Sequence, residues 1–225
     1  MSESTTDQIS AIAAISDPQR RALFEFVGRS ENPVSRGDAA TALGLPRSTA
    51  AFHLDRLVDE GVLETDFRRL SGKTGPGSGR PSKLYRRAAG EISVSIPARR
   101  YELAGELLAA AVEEADRSGE AVREVLTTIA VQTGRKLGME AGSLGAALEE
   151  CGYEPRDDGA GGMVLTNCPF HRLAASHTDV ICHANLGLLR GVVGGAADSA
   201  HTVEFVTPAD GHCCVRITPR VAESA

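Results

Sequence analysis

Between Val34 and Glu64 the chain reads VSRGDAATALGLPRSTAAFHLDRLVDEGVLE, and the punctuation of this stretch leaves few folds open. Ala39, Ala40 and Leu43 make a short apolar face that Gly44 stops. A second helix is predicted to begin near Pro46, with Leu54, Leu57 and Val58 turned inward. Two short helices meeting at a glycine turn, with the small Ala40 where they cross, form a helix-turn-helix. Upstream, SDPQRRALFEFV offers Ser16 or Asp17 as N-cap and Pro18 in the first turn, which predicts a helix over about 18–29. Arg47, Ser48, Thr49 and His53 then occupy the polar start of the second helix, where a recognition helix presents side chains to base edges and phosphates.

The segment that follows, GVLETDFRRLSGKTGPGSGRPSKLYRRA, has alternating runs at Val62–Arg69 and Ser82–Arg86 around a tip rich in glycine, proline and serine. This predicts a β-hairpin with a long loop. From Phe67 to Arg87 it carries Arg68, Arg69, Lys73, Arg80, Lys83, Arg86 and Arg87 and no acidic residue. A cationic ribbon directly after a helix-turn-helix is a wing suited to following phosphates, and Arg68, Arg69, Lys73, Arg80 and Lys83 are the expected phosphate anchors.

The formal net charge of -6 hides an asymmetry. Residues 1–100 carry 15 Lys and Arg against 12 Asp and Glu, and residues 101–225 carry 9 against 18, so a basic half precedes an acidic one. That is the charge pattern of a DNA-reading module joined to a regulatory one. With 42% hydrophobic and 24% charged residues, no apolar run of the roughly 18 residues needed to cross a bilayer, and a polar start, a soluble cytoplasmic protein without a secretory signal is expected. In a reducing compartment five cysteines point to thiols or metal ligands rather than a disulfide framework.

After residue 97 the pattern becomes helical. RRYELAGELLAAAVEEA and AVREVLTTIAVQTGRKLG carry apolar stripes that fit packing and dimerisation better than a cofactor box. Beyond them a helix ending near Gly152, a hairpin turning at residues 157–162 with a strand over 163–166, helices over about 170–176 and 178–193, and strands over 201–206 and 213–218 are expected. The fold class is therefore α+β, in three parts: a winged helix-turn-helix domain over 1–97, a helical linker and dimerisation region over 98–142, and a cysteine-containing α+β sensor domain over 143–225.

Cys168, Cys182, Cys213 and Cys214 all lie in the last third, and soft thiolates suit zinc and iron–sulfur clusters. A close CxxC pair is absent, and Cys168 with His171 makes a C-x-x-H spacing that holds His171 as a reserve ligand. Alternation along a strand would put Cys213 with Val215 and Ile217 on the apolar face and Cys214 with Arg216, which favours Cys213. Buried apolar packing of the same thiols is the plain alternative. Cys151, at a helix end in LEECGY, reads as packing, and His177, His183, His201 and His212 as surface or cap residues.

ISDPQRRALFEFV, GLPRSTAAFHLDRLVDEGVLE and GRPSKLYRRA together resemble the ArsR-type winged helix-turn-helix regulators over about residues 8–90. The resemblance implies a homodimer on a partly palindromic operator in double-stranded DNA. NCPFHRLA, VICHANLGLLRGV and GHCCVRI are similar to the C-terminal half of SufR-type regulators, repressors of iron–sulfur assembly genes. That similarity implies a cluster, 4Fe-4S in type, held by Cys168, Cys182 and one of Cys213 and Cys214, with the doubled cysteine a departure and zinc the alternative metal. The expected function is thus a DNA-binding transcriptional regulator, a repressor by resemblance, controlled by a cluster or metal. The rival is a winged-helix regulator gated by a small organic ligand, with structural cysteines. No phosphate loop after a strand and no paired carboxylates point to an enzyme.

Overall fold

The computed structural model describes residues 5–68, 81–207 and 213–220, and the chain divides into two compact units, 1–94 and 95–225. In the first unit, α1 (Thr5–Ser16) and α2 (Pro18–Arg29) are separated by Asp17, whose carboxylate caps α2 by accepting from Gln19 N at 3.0 Å and Arg20 N at 2.9 Å. The predicted helix over 18–29 is α2. The segment before it is a helix of its own, α1. β1 (Val34–Ser35) leads into α3 (Arg36–Leu43), which starts on a capping box: Asp38 N donates to Ser35 Oγ while Ser35 N donates back to Asp38 Oδ2. Gly44, at φ +64°, ends α3 in the left-handed conformation that a side chain would disfavour, and α4 (Arg47–Asp59) follows.

β2 (Leu63–Arg68) and β3 (Ser82–Arg87) pair antiparallel, with β1 on the other side of β3 in the order β1-β3-β2. Leu23, Val27, Ala39, Ala50, Leu54, Leu57, Leu63 and Tyr85 close one core beneath the helices. Ala40 is buried in the same core.

The second unit contains α5 (Tyr101–Ser118), α6 (Val122–Ala141), α7 (Leu144–Glu150), β4 (Pro155–Asp157), β5 (Met163–Leu165), α8 (His171–Ser176), α9 (Thr178–Gly195), β6 (His201–Phe205) and β7 (Val215–Pro219). The long helices α5 and α6, expected as a linker, belong to this unit. The strands form one antiparallel sheet in the order β4-β5-β7-β6. α9 is apolar almost all round because it is covered on two sides. Leu186, Leu189 and Val193 join the core over the sheet with Leu165, Val203, Val215 and Ile217, while Ile181, Ala184 and Leu188 join a second core with α5 and α6. The α6–α9 crossing is set by glycine. A Cβ on Gly134 would stand 2.9 Å from the Leu188 carbonyl carbon, and one on Gly191 would stand 2.7 Å from Arg135 N.

The last strand begins at Val215, two residues later than expected, so Cys213 and Cys214 precede it and strand alternation does not govern them. Cys213 N donates to Leu165 O and Cys214 O accepts from Val206 N, both at 2.9 Å, and both side chains are buried. The expected preference for Cys213 over Cys214 therefore falls: each reaches the interior.

Candidate DNA-facing surface and cysteine nest

In the first unit, α4 and the β2–β3 hairpin border a groove of about 470 Å³ lined by Ser35, Arg36, Arg47, Asp55, Phe67, Lys83 and Tyr85. Arg47 and Ser48 are exposed at the start of α4, and Thr49 is half-buried. His53 is turned away from this face. Its Nε2 lies 3.0 Å from Gln19 Oε1 on α2, and its Nδ1 is buried without a partner among the described residues, so the side chain ties α4 to α2. The position the sequence reading passed over is Phe52, 66% exposed and set edge-on to His53. Its signal was legible: it falls opposite Ala50, Leu54 and Leu57, the buried stripe of α4.

On the hairpin, Arg68 is exposed and paired with Asp66 at 2.6 Å. Lys83 Nζ donates to Asp55 Oδ1 at 2.6 Å, and Tyr85 Oη donates to the same oxygen at 2.7 Å. Burial works to raise the Asp55 carboxyl, but the hydrogen bonds from Lys83 and Tyr85 outweigh it and hold the group below the usual carboxylate range. Burial, reinforced by the hydrogen bond to Asp55, raises Tyr85 above the usual phenol range. Lys83 thus enters the groove already carrying a carboxylate partner. Arg69, Lys73 and Arg80, the remaining expected anchors, lie outside the described residues, as does His212.

In the second unit four cysteines from three separate segments come together. Cys168 is in the loop after β5, Cys182 in the second turn of α9, and Cys213 and Cys214 ahead of β7. Cys213 neighbours Cys168 and Cys214, and Cys214 neighbours Cys182, each pair close enough for one thiol to interact with the next sulfur. Their neighbour is Asn185, 1% exposed and one helical turn past Cys182. Asn185 Nδ2 is 3.1 Å from Cys213 Sγ and 3.7 Å from Cys214 Sγ, and Asn185 Oδ1 accepts from Tyr153 Oη. The Phe170 backbone N–H bonds to the Cys168 sulfur, and Arg99 lies close enough to add positive charge there. Arg99 is itself held by Asn167, whose Nδ2 donates to Ala98 O at 2.9 Å and Gly152 O at 2.6 Å.

These contacts divide the thiols. The Cys213 thiol donating to it, with Cys182 and Asn185, draws Cys214 down to about 6. Burial pushes Cys182 up to about 12 and Cys151 up to about 11. Cys213 is held as a thiol by its bond to Cys168, which is lowered in turn. Cys151 packs in the same core at the C-cap of α7. The histidines stand apart. His171 is exposed, His183 stacks on Phe205 and pairs with Asp179, and His201 pairs with Asp198.

As a donor set, four thiols with N–H groups aimed at sulfur match what a soft metal centre requires. Among the described residues no three His, Cys, Asp or Glu side chains surround one point as a single metal ion needs; the four sulfurs form a chain instead. An apolar cavity lined by Leu107, Leu126, Phe170, Ile181 and Asn185 measures about 10 Å³, room for about one water.

Residues 15–66 match the family described as a helix-turn-helix domain, which spans α2, α3 and α4 and reaches into β2. No curated protein matches the chain. No helix among the described residues is long and apolar enough to cross a membrane.

Proposed function

We propose that the protein is a homodimeric, DNA-binding transcription regulator, acting as a repressor, whose DNA affinity is set by an iron–sulfur cluster held at Cys168, Cys182, Cys213 and Cys214. The helix-turn-helix supports the DNA-binding half. Arg47, Ser48, Phe52, Arg56 and, at its C-terminal end, Asp59 are the exposed residues of α4, and the groove beside them carries Arg36 and Lys83. Such a surface seats a helix in the major groove with cations on the flanking phosphates.

The observation that carries the sensing half is the meeting of four thiols from three separate segments, two of them bonded by one buried amide. A bound cluster supplies a redox-sensitive, oxygen-labile centre. The chain's own part is to bring the sulfurs together, to point Asn185 and the Phe170 N–H at them, and to keep water out with Leu165, Leu186 and Leu189.

Purification without oxygen, followed by absorption spectroscopy and iron, sulfide and zinc analysis, tests this directly. The expected protein is brown with iron and sulfide bound, and its DNA affinity changes when the cluster is lost. Cys168→Ser and Cys182→Ser proteins that keep full metal content and an unaltered cluster-dependent DNA affinity would refute the sensing half. DNA binding that does not weaken as salt rises would refute the phosphate contacts.

A further inference from the structure

We infer that Tyr153 and Asn185 form the outer shell of the cysteine site: Asn185 gives its two N–H donors to the sulfurs of Cys213 and Cys214, and Tyr153 locks the amide in that orientation. This rests on the reading of the nest as a metal or cluster site and says which residues tune it.

A carboxamide has two donors and two acceptor sites and is costly to bury with them unmet. Asn185 is 1% exposed, its Oδ1 is taken by Tyr153 Oη, and the acceptors within reach of Nδ2 are two sulfurs, at 3.1 and 3.7 Å. A neutral thiol is a weak acceptor, whereas a metal-bound sulfur carries negative charge and makes a charge-assisted bond. Were the thiols present only as apolar filling, a leucine at 185 would serve better, as it does at 186, 188 and 189 of the same helix.

Tyr153 decides which way the amide faces. Its hydroxyl donates to Asn185 Oδ1, which leaves the nitrogen end toward Cys213 and Cys214. Tyr153 is 2% exposed and belongs to the same core as Cys182, Cys213 and Cys214, so the ring is fixed by packing. Both are positioning residues. They act on the bound centre through the ligand sulfurs, in the way that partners beyond the ligands commonly orient and tune them.

The test uses the full chain, purified without oxygen, stripped of metal and reconstituted with iron(II) and sulfide as the probe. Cluster retention is read as the rate of iron loss to a chelator, and the sulfur-to-iron charge-transfer band by absorption. Wild type, Asn185→Leu and Tyr153→Phe are compared, each checked for native circular dichroism. The Asn185 variant is expected to lose iron about 10- to 100-fold faster. Its band should move to lower energy, because sulfur lone pairs that lose N–H donors are easier to ionise. Tyr153→Phe should move the band the same way by less.

A purely structural role would lower stability and leave the band where it is. A folded Asn185 variant with wild-type iron retention and band energy overturns the inference while leaving the site intact. Wild-type protein that takes up no iron and sulfide overturns the site itself, and this inference with it. If the Asn185 variant does not fold, Tyr153→Phe decides: a shifted band supports the assignment and an unshifted one overturns it.

Discussion

Gly191→Ala is the sharpest test of how the second unit is built. A Cβ at Gly191 would stand 2.7 Å from Arg135 N and 3.0 Å from the Gly134 carbonyl carbon, where contacts between heavy atoms settle near about 3.5 Å. The obstacle is the backbone of α6, which cannot swing aside as a side chain would, so the two helices must part. Overpacking costs about 1–3 kcal/mol, and a backbone clash belongs at the upper end. Alanine returns about 1 kcal/mol through its helix propensity, so Gly191→Ala should destabilise the unit by about 2 kcal/mol net. Gly105 is the control: it lies inside α5, exposed, with nothing within 4 Å of its built Cβ. Gly105→Ala makes the same chemical change without the clash and should stabilise by about 1 kcal/mol. Urea unfolding followed by circular dichroism, with hydrogen exchange of α6 and α9 amides to assign the transition, separates variants about 3 kcal/mol apart. Gly191→Ala as stable as wild type would refute the close backbone crossing.

Asp55→Asn should tighten DNA binding, because Lys83 loses its carboxylate partner in the groove; the slope of log affinity against log salt should steepen by about 0.9, and an unchanged slope counts against the groove. Phe52→Ala should erase preference for thymine over uracil at one operator position, where a buried methyl is worth about 0.8 kcal/mol or roughly fourfold; quantitative binding to thymine- and uracil-substituted duplexes measures it, and a preference kept by the variant rules Phe52 out. Ser35→Ala removes the capping box of α3 and should cost the first unit about 1 kcal/mol in urea unfolding. Asp198 is opposed by burial but bound by His201 and by the Ala200 and His201 N–H groups, which hold it below 3.8. A depressed carboxyl stabilises above its unfolded value and loses that contribution as pH falls through the folded one. The second unit should therefore weaken below about pH 4, and Asp198→Asn, about 1 kcal/mol less stable at neutral pH, should flatten that acid limb in unfolding titrations.

The first unit was legible because its signals are local. Pro18, Ser35, Gly44 and Pro46 act on backbone within a few residues of themselves, and Leu54 and Leu57 mark the buried stripe of one helix by spacing alone. The hairpin showed in the same way, through alternation on either side of a turn-forming tip. What the sequence could not say is which way a half-buried polar side chain turns. His53 lies on the recognition helix, and the fold sets Gln19 of α2 beside it; Lys83 lies on the cationic hairpin, and the fold sets Asp55 beside it. Both outcomes depend on residues 34 and 28 positions away.

The cysteine nest divides along the same line. Cysteine count and the pattern of residues 163–218 named the four sulfurs as candidates and placed Cys182 on a helix, all from short-range information. Their meeting point was decided by the order β4-β5-β7-β6, which brings the lead-in to β7 beside the end of β5, and by the glycine seam that presses α9 against α6. Asn185 and Tyr153 carried no signal at all in the sequence. An asparagine in a helix and a tyrosine in a loop are unremarkable until burial removes water and leaves each the other, and two sulfurs, as partners. Local propensity and periodicity therefore determined the elements, and long-range packing alone determined which polar groups must satisfy one another.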